Sequence, residues 1–206
     1  MVKRAVPIVL AVFLLTGCGA HSIQELKGGE ALKSGGHAAH GPARASGGTA
    51  VPGRDYNPAD VMFLQMLMAH NGQGVRLARL APDRATREEV KTLAAAIATT
   101  QETEAASMSE RLIGWRQPAT ARADEHAAHG GMPGVGEEEI AAVADAAPAD
   151  FEKKFLNMMI AQQDDAIQLA RMEVATGLNA EIKAMAERVD ASRSAQIKQM
   201  LALLDQ

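Results

Sequence analysis

Beyond residue 57 apolar positions recur at spacings of three and four, the period of an amphipathic helix. Phe63, Met66, Leu67, His70, Gly74, Leu77 and Ala78 form the first stripe. Asn57-Pro58 precedes it, a side-chain N-cap followed by proline at the first helical position, so a helix is predicted from there. Ala81-Pro82-Asp83 is predicted to break it. Thr86 then has the character of an N-cap, with Glu89 three residues on completing a capping box. Val90, Leu93, Ile97, Gln101, Glu104, Met108 and Leu112 make the stripe of a longer helix ending near Gly114. The period is lost over residues 116–136. A short helix is predicted from Glu137 to Ala146, stopped at Pro148. A long one follows from near Asp150 to about Thr176, then a turn at Gly177, then a last helix from about Asn179 to Leu204.

The pattern is written twice. Phe63–Leu80, FLQMLMAHNGQGVRLARL, is answered by Phe155–Met172, FLNMMIAQQDDAIQLARM, at an offset of 92 residues. The offset holds without a gap through Glu89-Val90-Lys91 and Glu181-Ile182-Lys183, Met108 and Met200, Leu112 and Leu204. Such a repeat indicates a duplicated structural unit. Each copy is a helical hairpin with one apolar face, which it cannot bury alone; two hairpins packed together make a four-helix core. The predicted fold is therefore an all-α four-helix bundle of two tandem hairpins: copy one over 58–115, a linker over 116–149 and copy two over 150–206.

Composition agrees with one helical domain. The chain has 206 residues, 47% hydrophobic and only 3% aromatic, with 11 Met and one Cys. Its formal charge of −4 lacks the basic footprint of a nucleic-acid binder. Residues 1–17 have the makeup of a secretion signal: Lys3 and Arg4, then the apolar run Ala5 to Leu15, too short to span a membrane. Leu15-Thr16-Gly17-Cys18 resembles the bacterial lipobox, which implies cleavage before Cys18 and its lipidation. Removing Lys3 and Arg4 leaves 19 basic against 25 acidic residues, so acyl chains rather than a basic patch would hold the mature chain at the bilayer. Residues 18–57, rich in Gly, Ala, Ser and Pro, are expected to be a flexible tether.

The inward stripes carry polar residues. In a hairpin turning near Arg84, His70 is level with about residue 98 and Met66 with about 102, which brings Gln101 and Glu104 close and Met108 a turn away. Met66, His70, Gln101, Glu104 and Met108 thus form a candidate cluster whose thioethers, imidazole and carboxylate suit copper. The same residues also suit a packed core, with His70 bonded to Glu104 and the methionines filling gaps. Copy two puts Gln162, Arg193 and Gln196 at the positions of His70, Gln101 and Glu104. With Gln163, these suggest a hydrogen-bonded network rather than a cation site, because an inward Arg193 repels a cation.

The word HAAHG also occurs twice, at His37–Gly41 and His126–Gly130, with Met132 after the second. His37 and His40, or His126 and His129, could each chelate a metal weakly and exchangeably, or simply be solvated linker. Catalysis is not expected. A di-iron site needs a Glu-x-x-His word, and none occurs; the lone thiol is committed to lipidation; and no phosphate-cradling glycine loop is present.

Phe63, Met66, His70, Ala78, Gln101, Glu104 and Met108 in copy one, and Phe155, Met158, Ala166, Ile167, Ala170, Ile197 and Met200 in copy two, resemble the domain of unknown function (DUF) 305 family over about 58–205. The segment His129 to Gly134 is similar to that family's inter-repeat segment. The resemblance implies a ferritin-like four-helix fold, export, frequent lipid anchoring and, for some members, copper binding and copper tolerance. The family's His-His pair is His70-Asn71 in copy one and Gln162-Gln163 in copy two. The expectation is a non-enzymatic binding module, anchored in the cell membrane through Cys18 and facing the extracytoplasmic side, with copper as its candidate ligand. The alternative is a metal-free envelope protein that serves a protein partner.

Overall fold

A computed structural model of the chain describes residues 54–120 and 135–206. Its helices are α1 (Pro58–Ala78), α2 (Ala81–Arg84), α3 (Glu88–Gly114), α4 (Glu137–Ala144), α5 (Pro148–Thr176) and α6 (Ala180–Leu204). No strand occurs among the described residues. None of the described helices is long and apolar enough to cross a membrane. Helix α1 pairs with α3, α5 pairs with α6, and the two hairpins join chiefly along α1 and α5. The result is a four-helix bundle, with the single turn α2 and the short α4 at the end where the first hairpin turns and the second begins. The signal segment, Cys18, the tether and both HAAHG words with Met132 lie outside the described residues.

Most helix ends follow local chemistry. Asn57 caps α1 through Oδ1, which accepts from the amides of Ala59 and Asp60 at 2.8 and 3.1 Å. Asn179 does the same for α6 at Glu181 and Ile182. Pro148 both ends the run after α4 and opens α5 at its first position. Helix α4 stops at Ala144, two residues short of the expected end, where Arg84 reaches across to the Ala144 and Ala146 carbonyls. That guanidinium serves the orphan carbonyls of a helix with no basic residue in its own last turn.

Two expectations need correction. The chain breaks at Arg79-Leu80 rather than at Ala81-Pro82-Asp83, which instead begin the single turn α2. Thr86 does not cap α3 in a box with Glu89: Arg87 takes the N-cap position, with no side-chain cap bond of its own. The cap arrives from the other hairpin. Glu152, on α5, accepts from the amides of Thr86 and Arg87 at 2.6 and 2.8 Å, and from the Thr86 hydroxyl and Arg87 Nε.

The other end of the bundle repeats this device. Asp60 on α1, wholly buried, accepts from the amides of Leu178 and Asn179 at the start of α6 and from the amide of Asn57. Asp60 and Glu152 are 92 residues apart, as are Leu178 and Thr86, and Asn179 and Arg87. Each hairpin thus lends a carboxyl group to the N-terminal end of the other hairpin's second helix.

Glu152 is prised in two directions. Burial alone would push its carboxyl up, but the bonds from Arg87 and Thr86 outweigh that and hold it down at about 2. Glu152→Ala should therefore cost about 1–2 kcal/mol at neutral pH, the usual worth of an N-cap. The depressed folded-state value makes this contribution present above about pH 4.5 and lost as the pH falls towards 2. Urea unfolding at pH 7 and pH 2.5 checks it: equal deficits at both would refute the assignment.

Candidate functional site

The bundle interior consists of two apolar clusters with a polar layer between them. One gathers Phe63, Leu67, Met66, Met108, Leu112 and Ile182; the other gathers Leu77, Val90, Ile97, Phe155, Met159 and Met200. Between them lie His70, Asn71, Gln101, Gln162, Gln163 and Arg193, all with 0% exposure. Helical period explains the layer: each residue sits on the same inward stripe as its apolar neighbours, so packing the hairpins carries it inside.

His70 meets Gln162, its own counterpart in copy two. Gln162 Nε2 lies 3.1 Å from His70 Nδ1 and donates to the His70 carbonyl at 3.3 Å. A carbonyl only accepts, so the amide nitrogen faces His70 and Nδ1 takes the acceptor role. The ring proton is then on Nε2, which has no partner. Burial first, and Arg193 second, lower the imidazole pKa to about 4, so the ring is neutral at physiological pH.

The rest of the layer is cross-bonded, with Gln101 Oε1 and Arg193 Nε and Nη1 left without partners among the described residues. Gln101 Nε2 donates across the bundle to Gln162 Oε1 at 3.3 Å and Gln163 Oε1 at 3.5 Å. Gly74 makes room for this, since a Cβ there would collide with the side-chain amides of both Gln101 and Gln162. Asn71 Nδ2 donates to Glu104 Oε2 at 2.9 Å, and Gln163 Nε2 donates to Gln196 Oε1 at the same distance, again 92 residues apart. Arg193 crosses from α6 to pair with Glu104 and approaches Asn71 Oδ1 at 3.5 Å.

The geometry revises the sequence-derived cluster. Glu104 does not partner His70; it is half-buried and held by Arg193 and Asn71. The turn α2 lengthens the hairpin connection, so Asn71 rather than Met66 stands level with Gln101 and Glu104. Met66 and Met108 are buried in the apolar cluster beside the layer. Arg193 bonds Asn71 and Glu104 of copy one rather than the glutamines of copy two. Asn71, which sequence reasoning treated only as a lost histidine, is the bridge between Gln101, Glu104 and Arg193. Its inward position was legible in the helical spacing, four residues after Leu67 and three before Gly74.

As arranged, these residues do not fit copper. The Nδ1 lone pair is engaged by Gln162, Nε2 carries the proton, the carboxylate belongs to Arg193, and a buried guanidinium repels a cation. Among the described residues no three His, Cys, Asp or Glu side chains gather as a metal site.

One more buried acid lies near the Asp60 clasp. Glu173 on α5 is 2% exposed, and its carboxyl oxygens bond to no donor among the described residues. Burial, then the hydrogen bond to and charge of Asp60, push it up to about 9, with Lys183 acting weakly the other way. Glu173 therefore holds its proton at neutral pH. The corresponding position in copy one is Ala81.

Comparison with known proteins places the fold. The family model described as domain of unknown function (DUF305) matches residues 60–204. A putative secreted DUF305 protein of Streptomyces coelicolor superposes with a TM-score of 0.66 at 26% identity, covering 71% of this chain and 92% of that one. CopM in its Cu(I)-bound form gives a TM-score of 0.59 at 25% identity, covering 71% and 95%. A DUF305 fragment from Deinococcus radiodurans gives 0.65 at 24% identity, covering 74% and 99%, and supports the fold alone. No curated protein matches the chain.

Two outcomes test the layer. Arg193→Gln strands Glu104 and should cost about 3 kcal/mol. Adding Glu104→Gln gives both copies the same glutamines and should recover most of the loss in urea unfolding; a double variant weaker than the single one would refute the pairing. Glu173→Gln keeps a neutral donor beside Asp60. Because the folded-state value is raised, wild-type stability falls as the pH climbs from about 4.5 to 9. The variant should therefore gain on wild type through that window in thermal unfolding, and matching curves at pH 9 would refute a protonated Glu173.

Proposed function

Because the chain belongs to the DUF305 family, we propose that it is an exported binding module, lipid-anchored through Cys18, whose copper capacity lies outside the central layer. The donors are the two HAAHG words, His37 with His40 and His126 with His129, assisted by Met132. The observation that carries this is the Arg193–Glu104 pair, which occupies the carboxylate and adds a positive charge beside His70. CopM, a relative of the same fold, is known in Cu(I)- and Cu(II)-bound forms, which supports copper as the ligand class. The lipobox and the secreted Streptomyces coelicolor relative support an extracytoplasmic position. We read the module as a binder: the chain carries no Glu-x-x-His word, and its lone thiol is assigned to lipidation.

The same ion pair favours a second function, a metal-free scaffold for an envelope partner. Cu(II) separates the two, because imidazole is a better ligand for it than thioether. In the mature chain, purified with its lipid in detergent at pH 7, Cu(II) affinity should fall at least tenfold when His37, His40, His126 and His129 are all changed to Ala. It should be unchanged in His70→Ala. Loss in His70→Ala would move the site back into the layer and refute the proposal, and no Cu(II) binding by wild type would establish the metal-free scaffold. Mass measurement of the mature N-terminus checks the anchor: an unacylated Cys18 would refute it.

A further inference from the structure

The two ends of the bundle share a plan but differ in what they present to solvent. At the end where α1 and α6 begin, all four long helices are tied together. Asn57 Nδ2 donates to the Thr176 carbonyl at 2.9 Å, Asn179 Nδ2 donates to the Asp55 carbonyl at 3.1 Å, and Arg111 of α3 pairs with Glu181 of α6. Tyr56 and Trp115 stack there with ring centroids 4.1 Å apart, and Gln117 Nε2 donates to the Tyr56 hydroxyl at 3.2 Å. These bonds gather Ile113, in the last turn of α3, and Leu178, just before α6, at one end of the molecule. Both are large apolar side chains left exposed, at 70% and 45%.

The opposite end provides an internal control. Shifted by 92 residues, Ile113 becomes Asp205, Leu178 becomes Thr86, Tyr56 becomes Pro148 and Arg54 becomes Ala146. Asp205 and Thr86 are exposed too, so the fold leaves these positions to solvent in both copies and accepts polar residues there. Apolar side chains at one end only are not a demand of the scaffold.

Arg116 marks the same end by its backbone. Helix α3 closes in a Schellman motif, the Arg116 amide donating to the Ile113 carbonyl and the Gln117 amide to the Leu112 carbonyl, both at 2.9 Å. Arg116 stands at φ 56°, the left-handed region that glycine occupies without strain, and no other non-glycine residue does so among the described residues. Its side chain is exposed and makes no ion pair among the described residues. An arginine thus stands where the backbone favours glycine, and strain of this kind collects at functional positions.

We propose that this end of the bundle docks on a phospholipid bilayer, with Ile113 and Leu178 entering the headgroup region, the Tyr56–Trp115 stack behind them and Arg116 and Arg54 on the phosphates. Stacked Trp and Tyr beside exposed aliphatic residues, with arginines free to reach phosphate, have the makeup of a membrane interface. The docking rests on the anchor proposed above. The chain from Cys18 joins the bundle at Arg54, on the docking side, so acylation keeps this end beside the bilayer and a weak contact suffices. The end carrying α2 and α4 then faces away from the membrane.

Trp115 is the single tryptophan of the chain and reports on this face directly. In the mature lipidated chain, reconstituted into phosphatidylcholine–phosphatidylglycerol vesicles, brominated acyl chains should quench Trp115 about twofold or more. Ile113→Ser with Leu178→Ser should lose that quenching while the unfolding midpoint in detergent stays unchanged, since both side chains are exposed. Arg116→Gly relieves the left-handed backbone, so its midpoint should hold or rise while its quenching falls. Wild-type quenching in either variant would overturn the proposal. A wild-type chain that floats with the vesicles but leaves Trp115 unquenched would overturn the docking and spare the anchor, and a crosslinked dimer lost in the double variant would then assign the face to a second copy. A chain that does not float with the vesicles would overturn both.

Discussion

The exchange of carboxyl groups between the hairpins is the constraint on which this bundle depends. A helix start leaves backbone amides without partners, and their burial is costly unless an acceptor reaches them. Helix α3 has no cap in its own sequence neighbourhood, and the acceptor it uses stands on α5. Helix α6 has Asn179 as a local cap, yet the amides of Leu178 and Asn179 still depend on Asp60 of α1. Neither hairpin satisfies its own turn. Pairing the copies is thus required by backbone hydrogen bonding as well as by the burial of their apolar faces.

The polar layer halfway between the clasps fixes how the hairpins pair. Apolar faces alone tolerate sliding by a turn, because a methionine or leucine meets a similar neighbour at each step. A layer of buried amides and one guanidinium does not, since any shift leaves several of them without partners. His70 against Gln162, residues related by the repeat, marks the axis about which the copies are arranged. The copies are alike in register and unlike in charge: copy one supplies Glu104, copy two supplies Arg193, and the pair neutralises itself at the centre.

That division also separates the shared architecture from what each copy adds. Where the copies still match, their residues serve the shared architecture. Where they differ, the difference either joins the layer, as at Gln101 and Arg193, or adds a buried acid at one end only, as at Glu173 against Ala81. A duplicated fold provides this comparison within a single chain, with the second copy showing what the scaffold alone demands.

The sequence by itself determined the long helices, the cap at Asn57, the duplication and the inward stripe that buries His70, Gln101, Gln162 and Arg193. These follow from local periodicity and side-chain chemistry, which act over a few residues and leave their signature in the chain. It could not assign Glu104 to Arg193 rather than His70, because residues in different hairpins meet only after the register across the bundle is set. The α3 cap was misassigned to Thr86 for the same reason: its acceptor lies 66 residues away on another helix. Glu173 carried no signal in the linear pattern, and only the fold brings it against Asp60. Tertiary structure decided every one of these, because a polar group's protonation and partner depend on what packing leaves within reach once water is excluded.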